Sequence, residues 1–206
     1  MIDLDLKELN KILRTKTPDE IIEWTIRLSD ECIVTTSFGI YSAVLLSTIT
    51  RHVKDMKVIW CDTLFNQPTT YEHASKLIKQ YRLNIHRYQS LKSKEEIDAT
   101  IGLPSLEDDN FEAFSELVKV EPFRRALREH QPEIWFTNIR ERQTELRSKK
   151  DILSYSKDSI LKVSPFYYWT DADLDAYVVA HNLVKNDEYF DPVKALQNRE
   201  CGIHLQ

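Results

Sequence analysis

Apolar and polar residues at the start of the chain follow helical spacing. Apolar residues three or four positions apart predict a first helix that begins near Leu6. Thr17, Pro18 and Glu20 have the pattern of a capping box with a proline at the first helical position. A second helix is therefore expected to extend from Pro18 to about Ser29.

Short apolar runs, each followed by a polar loop and an amphipathic helix, fill the rest of the chain. Strands are predicted at residues 32–36, 57–61, 84–88, 133–139, 152–155 and 160–163. Alternation of strands and helices is typical of an α/β fold with a mostly parallel sheet flanked by helices. Such sheets bind ligands at the carboxyl ends of their strands, so the strand-exit loops should converge there. These loops lie at residues 35–39, 62–68 and 138–147.

The expected organisation is a single domain with three parts. They are N-terminal helices at residues 1–30, an α/β nucleotide-binding core at 31–186 and a C-terminal tail at 187–206. The tail shows no periodic apolar face, so we expect little to hold it on the domain.

Composition narrows the classes of function. The 206 residues are 42% hydrophobic and 30% charged, and the chain contains no apolar run long enough to span a bilayer. The net charge of -5 disfavours broad contact with a nucleic-acid backbone. The first residues lack the pattern of a secretory signal. We expect a cytoplasmic protein without membrane or nucleic-acid partners.

Three cysteines lie far apart, which argues against a disulfide framework and against a dense thiolate metal site. Cys32 and Cys61 lie in apolar strand contexts and are expected to be buried. Cys201 lies in the tail near Arg199 and His204, which could stabilise its thiolate. It is a candidate nucleophile; the alternatives are a chance surface cysteine or half of a metal site.

Two polar segments could bind an anion. The first contains hydroxyls and a glycine between a strand and a helix, at Thr35, Thr36, Ser37, Phe38 and Gly39. Phe38 departs from a Ser-Gly-Gly-x-Asp-Ser pyrophosphate loop and favours a smaller anion over ATP adenylation. The second follows a strand and carries Arg140, Gln143 and Arg147, which suit phosphate or sulfate. The alternatives are a capped helix start and a solvated charged face.

In order along the chain, these segments resemble the phosphoadenosine phosphosulfate (PAPS) reductase family of sulfonucleotide reductases. Further matching pieces are Asp62-Thr63, the Lys-x-Glu-Pro sequence that begins at Lys119, and residues 200–204, which read Glu-Cys-Gly-Ile-His and are the most specific. The resemblance implies an adenine nucleotide alpha-hydrolase-like fold, related to the PP-loop enzymes. It also suggests a homodimer.

The chemistry implied by the resemblance centres on the tail cysteine. Cys201 would attack sulfur to form an S-sulfocysteine, and reduced thioredoxin or glutaredoxin would then release sulfite. Lys119 and His204 would stabilise charge at the sulfate. The substrate-binding residues implied are Thr35, Thr36, Ser37, Phe38, Gly39, Asp62, Thr63, Arg140, Gln143, Arg147 and Arg199.

Departures from the family pattern refine these expectations. Phe114 and Ser115 stand where the branch acting on adenosine phosphosulfate has a cysteine pair, so we expect PAPS as substrate, no bound cofactor or metal, and no iron-sulfur cluster. Leu64 and Asn138 replace glycines. A family stretch with Gly-Asp and Thr-Thr-Arg is missing before Arg199; either that arginine or Lys194 compensates, or activity is weakened. The alternatives are an ATP pyrophosphatase or nucleotidyltransferase on the same scaffold and a non-catalytic nucleotide-binding relative.

Overall fold

A computed structural model describes residues 4–104, 110–191, 193 and 202–205. Within them a single six-stranded sheet has the order β3-β2-β1-β4-β6-β5. Its strands are β1 (Cys32–Thr36), β2 (Lys57–Cys61), β3 (Asn84–Tyr88), β4 (Ile134–Phe136), β5 (Leu153–Tyr155) and β6 (Leu161–Val163). All neighbouring strands are parallel except β5 and β6. Because the link between β5 and β6 is too short for a parallel crossover, they form an antiparallel pair. The mostly parallel sheet is confirmed.

Helices connect and cover the strands. They are α1 (Leu6–Leu13), α2 (Pro18–Thr25), α3 (Ser42–His52), α4 (Pro68–Tyr81), α5 (Lys94–Thr100), α6 (Phe111–Ser115), α7 (Glu121–His130), α8 (Glu145–Ser148) and α9 (Asp171–Ala180). The predicted capping box is present at α2, where Thr17 and Glu20 bond each other's backbone amides. This helix ends at Thr25, earlier than predicted. The fourth strand is also shorter than predicted, because both of its ladders end at Phe136.

Apolar side chains cover both faces of the sheet. Ile33, Ile59 and Trp135 point to one side, where they join Phe123 and Leu127 of α7. The next residue of each strand points to the other side and packs against apolar residues of α1 to α4 and α9. Burial on both faces is typical of parallel sheets, and it leaves the strand ends as the place for a site.

The N-terminal helices belong to this domain. Leu13 of α1 and Ile21 of α2 are part of the same apolar cluster as the sheet. The buried side chain of Asn10 donates to Leu153 O (3.0 Å) and accepts from Leu153 N (2.8 Å), so it pairs with the backbone of the edge strand β5. Among the residues described, none of the helices has both the length and the apolar character needed to cross a membrane.

Candidate active site

A cavity of about 500 Å³ opens at the carboxyl ends of β1, β2 and β4. This volume lies in the range of small-molecule sites. Its lining residues come from the loop after β1, the end of β2, the turn before α7, the segments after β4 and after α9, and the tail. They include Thr35, Thr36, Ser37, Gly39, Cys61, Lys119, Arg140, Gln143, Arg147, Lys185, Tyr189, Ile203 and His204. The loops after β1 and β4 therefore converge as expected.

The β1 loop, residues 35–39, places hydroxyls and a helix start at the cavity. Thr35 Oγ1 accepts a hydrogen bond from Trp135 Nε1 at 2.8 Å, and Thr36 Oγ1 accepts one from Phe38 N at 3.0 Å. The chain then enters α3, whose first residue Ser42 also lines the cavity. Backbone amides and the helix dipole at such an N-terminus favour an anion.

Phe38 does not line this cavity, although the sequence placed it among the binding residues. Its ring is fully buried and packs edge-on against Trp60, with ring centroids 4.9 Å apart. The backbone reaches this arrangement with φ of 52°, a left-handed conformation that usually belongs to glycine. The phenyl group consequently lies in the core, so it does not by itself keep a ligand away from the loop backbone.

The segment after β4 supplies guanidinium groups to the cavity. Arg147 is 8% exposed, and its guanidinium donates to Gln143 Oε1. The same Gln143 oxygen accepts from Arg140 N at 3.0 Å. Arg140 forms an ion pair with Asp171 and lies over the ring of Tyr41. All three predicted residues of this loop are therefore on the cavity wall.

Lys185 was missed by the sequence reasoning and lies on the same wall. Its Nζ is 2.7 Å from Asp175 Oδ1 and 5.1 Å from the centre of the Tyr41 ring. It follows the last helix with no motif around it, so nothing in the sequence indicated its position.

Lys119 reaches the cavity from a turn of π-helix, Glu116–Val120, between α6 and α7. Pro122 follows within the first turn of α7, where it has no amide hydrogen to donate. π-helical turns often occur at functional sites. Lys119 is only 3% exposed, and its Nζ lies 2.5 Å from the buried Asp191 Oδ2.

Described residues of the tail are packed on the domain. Tyr189 contacts the β1 loop, and Val193 and Ile203 are buried in the apolar cluster on the α7 side of the sheet. His204 stacks on Trp135 with centroids 5.4 Å apart. Gly202 has φ of 76°, and a Cβ there would lie 2.7 Å from Val120 Cγ2. The expectation that little holds the tail is wrong for these residues, because long-range contacts replace the missing periodic face.

Asp62 and Thr63 are buried and do not line the cavity. Asp62 accepts hydrogen bonds from the β2 loop, from α4, and from the end of β3 and the residue after it; the donors are Leu64 N, Asn66 Nδ2, Tyr71 Oη, the Arg87 guanidinium and Gln89 Nε2. Burial acts to raise the pKa of this carboxyl, but hydrogen bonds from Gln89 and Arg87 outweigh it and hold the pKa below its usual value. The structure thus places Asp62 at the centre of a loop-stabilising network.

Cys32 and Cys61 are buried, as predicted. Burial, reinforced by the Asp30 carboxylate, raises the pKa of the Cys32 thiol to about 12. Cys61 has a second feature that the sequence did not indicate, since it lines the cavity at the end of β2. Cys201 and Arg199 lie outside the described residues, as does Lys194. Within the described ranges, no three His, Cys, Asp or Glu side chains are grouped to hold a metal ion.

Comparisons with known proteins agree with this geometry. A family model described as phosphoadenosine phosphosulfate reductase domain matches residues 31–192. A phosphoadenosine 5'-phosphosulfate reductase of Xylella fastidiosa is 37% identical over 181 residues, which cover 87% of this chain and 76% of the relative.

Solved structures show the same architecture. The phosphoadenylyl-sulfate (PAPS) reductase from Candida auris, a phosphate complex, superposes with a TM-score of 0.77 and 29% identity over 90% of this chain and 91% of that one. An NH3-dependent NAD synthetase from Campylobacter jejuni shares the fold alone, with a TM-score of 0.56 and 13% identity over 88% of this chain and 75% of that one. The expected PP-loop-related fold is confirmed. Because the family model matches residues 31–192 and the Xylella relative is 37% identical over 87% of this chain, the chain belongs to the phosphoadenosine phosphosulfate reductase family.

Proposed function

We propose that this protein reduces PAPS to sulfite and adenosine 3',5'-bisphosphate with electrons from thioredoxin or glutaredoxin. One observation carries the proposal: Ile203 and His204, from the motif that contains Cys201, line the same cavity as Ser37 and Lys119. The cavity thus combines an anion-binding loop, cationic side chains and the segment that follows the nucleophile. The Candida auris relative, a phosphate complex, supports an anion site in this fold.

The first step is a displacement at sulfur. The Cys201 thiolate forms a bond to the sulfur of the sulfo group, while the bond from sulfur to the phosphate oxygen breaks and its electron pair leaves with adenosine 3',5'-bisphosphate. Lys119 and His204 stabilise negative charge at the sulfo group, and Arg140 and Arg147 hold phosphate oxygens.

The second step releases sulfite. A thioredoxin thiolate attacks the Cys201 sulfur, sulfite leaves with the electron pair of the sulfur–sulfur bond, and the second thioredoxin thiol resolves the mixed disulfide. The two electrons come from the thioredoxin dithiol, so this step needs no other reductant. The proposal includes no metal and no iron-sulfur cluster, because Phe114 and Ser115 stand where the cluster-bearing branch has a cysteine pair. A cytoplasmic location and a homodimer are part of the same proposal.

The cavity-lining residues Thr35, Thr36, Ser37, Gly39, Arg140, Gln143 and Arg147 are proposed to contact the nucleotide. For Phe38, Asp62 and Thr63 we propose an indirect role, in which they hold the backbone of their loops. Arg199 keeps its proposed role as a substrate contact that replaces the missing family arginine.

Sulfite release tests the proposal. The protein is incubated with PAPS or adenosine phosphosulfate, reduced thioredoxin and thioredoxin reductase, beside a Cys201→Ser variant and Cys32→Ser as a matched control. We expect sulfite from PAPS with the native protein and Cys32→Ser, and none with Cys201→Ser. Pyrophosphate release from ATP in place of sulfite would indicate the other enzyme class on this scaffold.

A further inference from the structure

Four polar side chains form a continuous line between two parts of the cavity wall. The Tyr189 hydroxyl lies 2.9 Å from Ser37 Oγ and 3.0 Å from Asp191 Oδ2, and Asp191 Oδ2 lies 2.5 Å from Lys119 Nζ. Ser37, Tyr189 and Lys119 all line the cavity. The line therefore connects the β1 loop to the lysine of the π-helical turn.

Asp191 fixes the far end of this line. It is 5% exposed, and its Oδ1 accepts a hydrogen bond from Val193 N at 3.0 Å, which leaves Oδ2 toward Tyr189 and Lys119. A buried ammonium group needs a counter-charge, because an uncompensated charge in the interior costs several kcal/mol. Asp191 consequently supplies a buried counter-charge that helps to fix the position of the Lys119 ammonium.

Tyr189 contacts the β1 loop through both its hydroxyl and its ring. Its ring packs on Gly39, since a Cβ added there would lie 3.3 Å from the ring, and this contact restricts the position of the hydroxyl. The phenol has one proton, whereas Ser37 can donate and accept and the Asp191 carboxylate only accepts. When an anion at the loop accepts the hydrogen bond of the Ser37 hydroxyl, the Tyr189 hydroxyl can donate to Ser37 Oγ in place of Asp191 Oδ2. Occupation of the loop would thereby change the hydrogen bonding around Lys119.

We propose that Tyr189 and Asp191 are positioning residues that couple anion binding at the β1 loop to the placement of Lys119. This inference rests on the proposed function, in which Lys119 stabilises charge at the sulfo group. Coupling of this kind would place the ammonium correctly when the phosphates are bound, and it would affect turnover more than ground-state binding.

A double-mutant cycle on sulfite release tests the coupling. Tyr189→Phe keeps the ring on Gly39 and removes only the hydroxyl; we expect kcat to fall about tenfold while KM changes less than about threefold. In a Ser37→Ala background the same substitution should lower kcat by less than about threefold. Asp191→Asn should lower kcat further than Tyr189→Phe.

The matched control is Tyr168→Phe, because Tyr168 also donates to a carboxylate, Asp151 Oδ1 at 2.9 Å, but does not line the cavity. It should keep kcat near the native value. The coupling is overturned if Tyr189→Phe behaves like this control, or if it lowers kcat equally with and without Ser37.

A readout independent of turnover separates this inference from the proposed function. If the native protein releases no sulfite, the proposed function fails. The same variants are then compared by how much inorganic sulfate raises their unfolding temperature. Tyr189→Phe and Ser37→Ala should then reduce the sulfate effect non-additively. Additive effects, or no sulfate effect in the native protein, would overturn the coupling.

Discussion

The loops after β1 and β2 follow neighbouring parallel strands, yet only the β1 loop forms a wall of the cavity. Both contain a non-glycine residue in the left-handed region, Phe38 with φ of 52° and Leu64 with φ of 68°. Both also carry polar residues that the sequence analysis predicted to bind substrate. In the structure Ser37 lines the cavity, whereas Asp62 is fully buried.

The difference lies in how the polar groups are used. A hydroxyl has a donor and two acceptor sites, so Thr36 can accept a bond from Phe38 N and still contact a ligand. The Asp62 carboxylate already accepts bonds from five residues, including the guanidinium of Arg87. Position at a strand end therefore brings a loop near the site, but the loop's own hydrogen bonds decide which groups remain available.

The largest effect is expected at Asp62. Asp62→Ala leaves several donors of the β2 loop and β3 without an acceptor, so the free energy of unfolding should fall by about 3 kcal/mol or more. Urea denaturation measures this loss. Ser37→Ala is the contrasting variant in the β1 loop and should stay within about 0.5 kcal/mol of the native protein. If Asp62→Ala lost nucleotide affinity at native stability, the comparison of the loops would be wrong.

At Phe38, packing and backbone strain act in opposite directions. Phe38→Gly removes a fully buried ring, which costs about 3 to 5 kcal/mol, while relief of the left-handed conformation offsets about 1 kcal/mol. The net loss in the free energy of unfolding should be about 3 kcal/mol by urea denaturation. A variant as stable as the native protein would show that the ring contributes little to the core.

Acid should weaken the β2 loop through Asp62. Its pKa is lowered in the folded protein, so its contribution to stability is complete above the ordinary aspartate pKa of about 4 and is lost as pH falls through the folded value. The stability difference between the native protein and Asp62→Asn, measured by denaturation at several pH values, should therefore shrink below about pH 4. A stability difference that stays constant down to acid unfolding would contradict the claim that the Asp62 carboxylate is ionised in this network.

The smallest effect is expected at Leu64. Leu64 is only partly buried against the apolar cluster of the α7 side, so Leu64→Gly loses a modest contact and relieves a strained φ. The loss of apolar contact and the relief of strain are similar in size, so the free energy of unfolding of the variant, measured by thermal unfolding, should lie within about 1 kcal/mol of the native value. A much larger loss would mean that this side chain anchors the β2 loop.

Local signals in the sequence predicted the fold well. The predicted bounds of β1, β2 and β3 match the structure, and the capping box at Thr17 forms as expected, because each depends on residues close in sequence. Strand β4 is shorter than predicted, since its end is set by pairing with distant strands.

The site was predicted in part. The loop residues Ser37, Arg140 and Arg147 reach the cavity because sheet topology brings strand ends together. The roles of Tyr189 and Asp191 could not be predicted, since they depend on contacts with residues far away in the chain and no periodic pattern marks the tail.

The most direct test of the central claim is to trap the first intermediate. The protein is incubated with PAPS in the absence of thioredoxin, and the cysteine-containing peptides are examined by mass spectrometry. We expect the mass of one sulfo group on the peptide that contains Cys201, together with one equivalent of released adenosine 3',5'-bisphosphate. A sulfo group on Cys61, which lines the cavity, or nucleotide release without any adduct would contradict the account.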